Sequence, residues 1–196
     1  MALVPDPVGP SETKRRAVGV LSPLHSARTQ LEVERRWVLE GQPALGHPVL
    51  RTLEVVRITQ TYLAKPAGGE PRARVRRIAA ADGTVRHVWT AKRRLSSLVR
   101  VEREVEIDAA AYDELRRRAD PRRAVVEKVR RPFTYAGLRF ELDHLVSPVE
   151  CWLLEVELDE LRQAVVIPPF VGAVREVTDE PGFTNASLAR RHLAAC

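Results

Sequence analysis

The sequence predicts a mainly β protein of the α+β class, an eight-stranded closed antiparallel β-barrel with a few flanking helices. Three observations lead there. From about Leu31 the chain breaks into short runs rich in β-branched residues, with side chains of opposite character in strict alternation. Turn residues punctuate those runs, at Gly68-Gly69, Asp82-Gly83 and Ala136-Gly137. The runs number eight, and eight strands suffice to close a barrel around a space that side chains can fill.

Taken in order, residues 1–29 carry Pro5, Pro7, Pro10 and Pro23 among scattered polar residues and hold no period of 2 or 3.6, so they are expected to form a flexible N-terminal tail. The folded domain then spans 30–196. Strands are expected over 31–39, 51–63, 72–79, 85–93, 98–107, 124–134, 137–145 and 150–158. Asp108 is placed to cap a helix through AAAYDELRRRA, and further helices are expected across 159–165 and after Asn185 through SLARRHL.

Composition narrows the function classes. The chain has 196 residues and a formal net charge of +6, which favours polyanionic partners. Nucleic acid is not the expected one, because aromatics make up only 5% and the basic residues are matched by 26 acidic ones. No apolar run approaches the roughly 20 residues of a membrane-spanning helix, and the N-terminus lacks the layout of a secretory signal. A cytoplasmic protein without membrane contact is therefore expected. Cys151 and Cys196 have no disulfide-framework or metal-ligand spacing and are expected to be reduced thiols, and His87, His144 and His192 have no zinc-ligand spacing.

The informative feature is which residues share a strand face, since side chains at i and i+2 point the same way. Glu32, Glu34 and Arg36 share one, as do Arg74 with Arg76, Thr90 with Lys92, and Arg100 with Glu102, Glu104 and Glu106. Later strands repeat the pattern with Lys128 and Arg130, Glu141 and Asp143, and Glu155 and Glu157. Alternation of this kind ordinarily marks the wet outer face of a sheet. Glu-x-Glu in three strands and Arg-x-Arg or Lys-x-Arg in others argue otherwise, because like charges so grouped repel on an exposed face. Such grouping suits acidic and basic walls facing one another across a barrel, with divalent cations on one and phosphate oxygens on the other.

In this order the motifs resemble those of the CYTH, or triphosphate tunnel metalloenzyme, family over about residues 31–190. Glu32-Val33-Glu34-Arg35-Arg36 is similar to the family's opening ExExK, with arginine in place of the lysine, and ITQTYL, which supplies Tyr62, resembles its QGYL strand. RVR, TAK, RxExExEI, EKxR, ELD and LEVEL follow. PPFVGAVREVTDEPGFTNASLA resembles the family's P-x-W-x-G-x-E-V-T and Y-x-N-x-x-L-A ending, with Phe170 at the tryptophan. The resemblance implies a tunnel in which Arg74, Arg76, Lys92, Arg100, Lys128 and Arg130 contact phosphates. It implies Mg²⁺ or Mn²⁺ on Glu32, Glu34, Glu104, Asp143, Glu155 and Glu157, and catalytic roles for Glu34, Arg36 and Tyr62. The implied activity is metal-dependent hydrolysis of a triphosphate, inorganic tripolyphosphate foremost. Alternatives are a non-catalytic triphosphate- or polyphosphate-binding module, and the adenylate cyclase or thiamine triphosphatase activities of the same family. Trp37, Trp89 and Trp152 could stack on an organic headgroup but equally well bury area.

Overall fold

The computed structural model describes residues 28–51, 53–65, 72–94, 99–160 and 162–190, and for 28–32, 94, 99 and 100 the backbone alone. The expected tail falls outside these residues, save Arg28 and Thr29, which already belong to the first strand. The elements are β1 (Arg28–Leu39), α1 (Pro48–Arg51), β2 (Val56–Tyr62), β3 (Ala73–Ala80), β4 (Val85–Arg94), β5 (Val99–Ile107) and α2 (Ala109–Arg116). β6 (Val126–Tyr135), β7 (Leu138–Ser147), β8 (Cys151–Leu158), β9 (Val174–Glu176) and α3 (Asn185–Leu188) complete them.

Local chemistry sets several boundaries. Ala136 and Gly137 both have positive φ, 48° and 79°, the backbone of a two-residue hairpin loop whose twist matches its flanking strands, β6 and β7. Asp108 caps α2 by accepting a hydrogen bond from the Ala111 amide at 2.7 Å. Pro48 opens α1, where a missing amide proton costs nothing, and so shortens the strand expected over 51–63. The helix expected across 159–165 does not form among the described residues. There the Asp159 amide is held by the Gln163 side chain at 3.0 Å, a turn that competes with helix. α3 stops at Leu188, shorter than SLARRHL suggests, and residues beyond 190 lie outside the described ones.

One antiparallel sheet forms, in the order β5-β4-β3-β2-β6-β7-β8-β1-β9. This corrects the expected eight-stranded closed barrel. Among the described residues there are nine strands, and the sheet order runs from β5 to β9 with β1 shared among β8, β5 and β9, rather than closing as a barrel of eight strands alone. The reason lies in β1, one edge of which pairs with β8 over Val33–Val38. Its other edge is divided between β5, over Arg28–Val33, and β9, over Trp37–Leu39. The β1–β5 pairing curls the sheet into a tunnel-like trough, while β9 takes the length of β1 that a full ring would give to β5.

The apolar core lies mainly on the outside of this curl. Trp37, Phe133, Phe140, Leu142, Leu154 and Val156 face outward from β1, β6, β7 and β8 and are buried beneath Leu50 of α1 and Phe170–Val171. Val75 and Ile107 are covered by Tyr112 of α2. One end of the inner face is apolar as well: Val38, Tyr62, Val126, Leu145 and Leu153 pack against Val177, Leu188 and Ala189, so the C-terminal segment plugs that end. Cys151 belongs to the same cluster and is disulfide-bonded, which corrects the expectation of a reduced thiol there; Cys196 lies outside the described residues. With apolar residues assigned to the outer face and the plug, the middle of the inner face is left to charged ones.

Candidate functional site

The curl encloses a cavity of about 830 Å³ in which basic side chains outnumber acidic ones. Period-two geometry builds it: Glu34 and Arg36 of β1, Arg74 and Arg76 of β3, Thr90 and Lys92 of β4, Glu102 and Glu104 of β5, Lys128 and Arg130 of β6, and Glu155 and Glu157 of β8 all line it.

Two ion-pair groups divide the wall. Across β3, β4 and β5, Arg76 bonds Glu104 and, at 3.1 Å, the Thr90 hydroxyl; Lys92 pairs with Glu102, and Arg74 approaches Glu102 at 3.7 Å. The Tyr62 hydroxyl accepts a bond from Gln60 Nε2 at 2.9 Å and lies within the field of the Arg74 guanidinium. Even so, among the described residues the buried Nε–H groups of Arg72, Arg74 and Arg76 have no hydrogen-bond partner. A buried donor left unpaired is costly, so three on neighbouring arginines are a standing demand for acceptor oxygens.

The second group spans β1, β6, β7 and β8. Arg36 donates through Nε to Glu155 at 2.6 Å, through Nη1 to the Phe183 carbonyl at 3.1 Å, and through Nη2 to Glu34. Arg130 forks onto both oxygens of Asp143 at 2.7 Å, reaches Glu155 at 3.3 Å and pairs with Glu141. Lys128 also bonds Asp143, at the Oδ2 that Arg130 Nη2 shares.

The titration of these groups follows from burial set against partners. Burial alone would lower the Arg36 pKa, but the carboxylates of Glu155 and Glu34 outweigh it and the guanidinium is held charged. Arg130 behaves likewise through Asp143 and Glu141. Burial would raise Glu155, yet Arg36, Lys128 and Arg130 hold it well below the usual carboxylate range, and Asp143 is lowered by Arg130 and Lys128 against the same penalty. Burial and neighbouring Arg74 bring Arg76 down to about 10, partly opposed by Glu104. Burial and then Arg130 lower Lys128, against the pull of Asp143. Burial raises the Tyr62 phenol in spite of Arg74.

The candidate residues are thus brought together with some redistribution of roles. Asp143 does not line the cavity; it is 0% exposed and ion-paired with both Lys128 and Arg130. Glu32 and Arg100 are register partners on β1 and β5, with side chains outside the described ones. Arg72, Lys65, Arg139 and Glu141 also line the cavity. Arg72 continues the i, i+2 series of Arg74 and Arg76 and was legible on that ground; so was Arg139, two before Glu141. Lys65 follows β2 in a segment with no period.

A divalent cation of the kind the family resemblance implies has matching donor chemistry here. Glu34 and Glu157 face each other across β1 and β8, and Glu141 faces Glu155 across β7 and β8. Partial burial and then the charges of Glu141, Glu34 and Glu102 raise the Glu157 pKa against the pull of Lys92. A carboxylate under such repulsion gains from a hard cation. Among the described residues, however, no three acidic, histidine or cysteine groups are gathered closely enough to hold a metal as they stand.

An arginine-rich, ion-paired interior inside a curled antiparallel sheet defines a tunnel-like β protein with a charged cavity. The structure is similar to that of the inorganic triphosphatase NE1496, which is 29% identical, with a TM-score of 0.52 over 81% of this chain and 97% of that one. It is also similar to the PH1819 protein from Pyrococcus horikoshii OT3, 22% identical, with a TM-score of 0.50 over 66% of this chain and 78% of that one. No protein-family model matches the sequence, and no curated protein does. The chain has the CYTH, or triphosphate tunnel, fold. No described helix is long and apolar enough to cross a membrane.

Proposed function

We propose that the protein is a triphosphatase that hydrolyses inorganic tripolyphosphate within the charged cavity, with Mg²⁺ or Mn²⁺ as cofactor. The observation that carries this reading is the set of unpartnered buried Nε–H groups on Arg72, Arg74 and Arg76, set opposite the carboxylates of β7, β8 and β1. The likeness to the triphosphatase NE1496 supports it.

The arginines of β3 receive the phosphate oxygens, a geometry that guanidinium donors match well. Lys92 adds charge beside them. Arg36 and Arg130, locked in charged form by their carboxylates, supply fixed positive potential that needs no rearrangement as negative charge develops. Glu157 and Glu34 would hold the divalent ion, which would neutralise the phosphate chain and polarise the bond to be broken. The carboxylates of that wall orient a water molecule and take up its proton. Its oxygen bonds to the terminal phosphorus, the bridging P–O bond breaks, and its electron pair leaves with pyrophosphate while orthophosphate is released.

Phosphate release from tripolyphosphate, with ATP and thiamine triphosphate as comparison substrates, tests the proposal. Turnover is expected with Mg²⁺ or Mn²⁺ and is expected to stop in excess EDTA. Turnover unchanged by EDTA would sink the metal-assisted route. A second reading, binding without turnover, is favoured by one observation: every guanidinium nitrogen of Arg36 is already engaged by Glu155, Glu34 or the Phe183 carbonyl.

A further inference from the structure

The segment that plugs one end of the cavity is tied down at intervals along its length. Where it leaves β9, the Val177 amide donates to the Arg36 carbonyl at 2.8 Å and the Arg36 amide to the Thr178 hydroxyl at 3.0 Å. Its middle is the end wall: Thr184, Asn185 and Ala186 line the cavity, and the Phe183 carbonyl accepts from Arg36 at 3.1 Å. Further on, the Ala189 carbonyl accepts from the Ala124 amide at 2.7 Å, and Leu188 and Ala189 are buried in one cluster with Leu145, Leu153 and Cys151. α3, Asn185–Leu188, is too short to persist without such ties. Cys151 of β8 is 8% exposed and disulfide-bonded. The sequence holds two cysteines, which leaves Cys196 as its mate. A stretch such as 190–196 reaches roughly 20 Å when extended, ample for a return to a cluster that already contains Ala189.

We propose that a disulfide between Cys151 and Cys196 is a redox-controlled latch on this plug. Oxidised, it fastens the chain beyond Ala189 to β8 and holds the end wall of the cavity in place. Reduced by a dithiol, it leaves that wall to the noncovalent ties alone. In that step the S–S bond breaks, two electrons and two protons pass from the dithiol to the two cysteine sulfurs, and the dithiol closes into a disulfide of its own. A cross-link beyond the last tie acts by removing the freedom of the chain to leave the wall. Its loss reaches the cavity through Phe183, whose carbonyl is one of the partners that fix Arg36, and through Asn185, whose Oδ1 is buried without a partner among the described residues. The latch acts on the wall whatever ligand the cavity takes, so it does not depend on the hydrolysis proposed above.

Peptide mapping without reductant, on the natural chain equilibrated with glutathione disulfide, is the first measurement. The peptide that holds Cys151 should be joined to the one that holds Cys196, and dithiothreitol should part them. Amide hydrogen exchange over 183–190 and equilibrium binding of tripolyphosphate are then compared in the oxidised chain, the chain reduced with dithiothreitol, and a Cys196→Ser variant. Exchange in the plug is expected to be at least tenfold faster in the reduced chain and in the variant, with β7 amides within twofold throughout. Both should bind tripolyphosphate at least threefold more weakly, and dithiothreitol should change nothing further in the variant. Thiols that stay free under glutathione disulfide, a cross-link between two copies of the chain, or plug exchange unmoved by reduction would each overturn the latch. Faster exchange at unchanged tripolyphosphate affinity would sink its control of the cavity. Redox-dependent exchange in a chain that hydrolyses no triphosphate would support the latch while refuting the triphosphatase reading, and hydrolysis with redox-insensitive exchange would do the reverse.

Discussion

Asp143 is the residue whose neighbours define its role most narrowly. Buried with no exposure, it accepts two bonds from Arg130 and one from Lys128, all on the inner face. Removing one member of a buried ion group leaves the others charged and unpaired, at a cost of about 3–5 kcal/mol. Asp143→Asn is therefore expected to lower unfolding stability by at least about 3 kcal/mol in urea titrations. Its acid response should change as well. The Asp143 and Glu155 pKa values are lowered in the folded state, so these groups stabilise it fully above their unfolded values of about 4 and lose that contribution as pH falls through the folded ones. The variant should show a shallower loss of stability below about pH 4 than the natural chain. Equal stability of the two proteins at neutral pH would refute the counter-ion role. The i, i+2 pattern placed Asp143 on the inner face, but its distinction from Glu157 depends on depth along the tunnel, and no period encodes depth.

Among the elements, strands with a charged face were legible because their two faces differ in chemistry at every step. β3, β4, β6, β7 and β8 lie within two residues of their expected bounds for that reason. β9 was not legible: Val174, Arg175 and Glu176 are too few to display a period, and they become a strand only because β1 offers them an edge. The same short strand explains why eight strands do not form a simple ring. The helix expected at 159–165 fails on a side-chain competitor, Gln163, that an apolar count does not register. α2, by contrast, was legible from its cap. Its eight residues are too short to stand alone, so the cap should matter, and Asp108→Ala is expected to cost about 1 kcal/mol with tripolyphosphate affinity unchanged. Thermal unfolding with equilibrium binding checks it, and a loss below a few tenths of a kcal/mol would show that packing of Tyr112 alone holds the helix.

For the molecule as a whole, apolar surface is spent on the outside of the curl and on the plug, and Arg36 sits where β1, β8 and the plug meet. Its side chain joins Glu34, Glu155 and the Phe183 carbonyl, its amide donates to the Thr178 hydroxyl at 3.0 Å, and its carbonyl accepts from the Val177 amide at 2.8 Å. The backbone bonds are kept in a lysine substitution, whereas the three-way fork needs a guanidinium. Arg36→Lys should therefore lower stability by about 1–3 kcal/mol, since the charge is kept but donors to buried acceptors are lost. Its effect on chemistry separates the two functional readings. If position 36 contributes a fixed cation, phosphoryl transfer needs chiefly positioning and charge, and the lysine form should turn over tripolyphosphate within about threefold of the natural rate. If an amine able to give up its proton is required, arginine cannot serve, the natural chain should be nearly inactive, and lysine should raise turnover on the order of tenfold or more at similar affinity. The first outcome is expected, because Glu155 and Glu34 hold this guanidinium charged and the remaining cations already surround the cavity. Single-turnover hydrolysis and equilibrium binding on both forms decide between them, and a large gain for lysine at unchanged affinity would establish the natural protein as a binder of condensed phosphate.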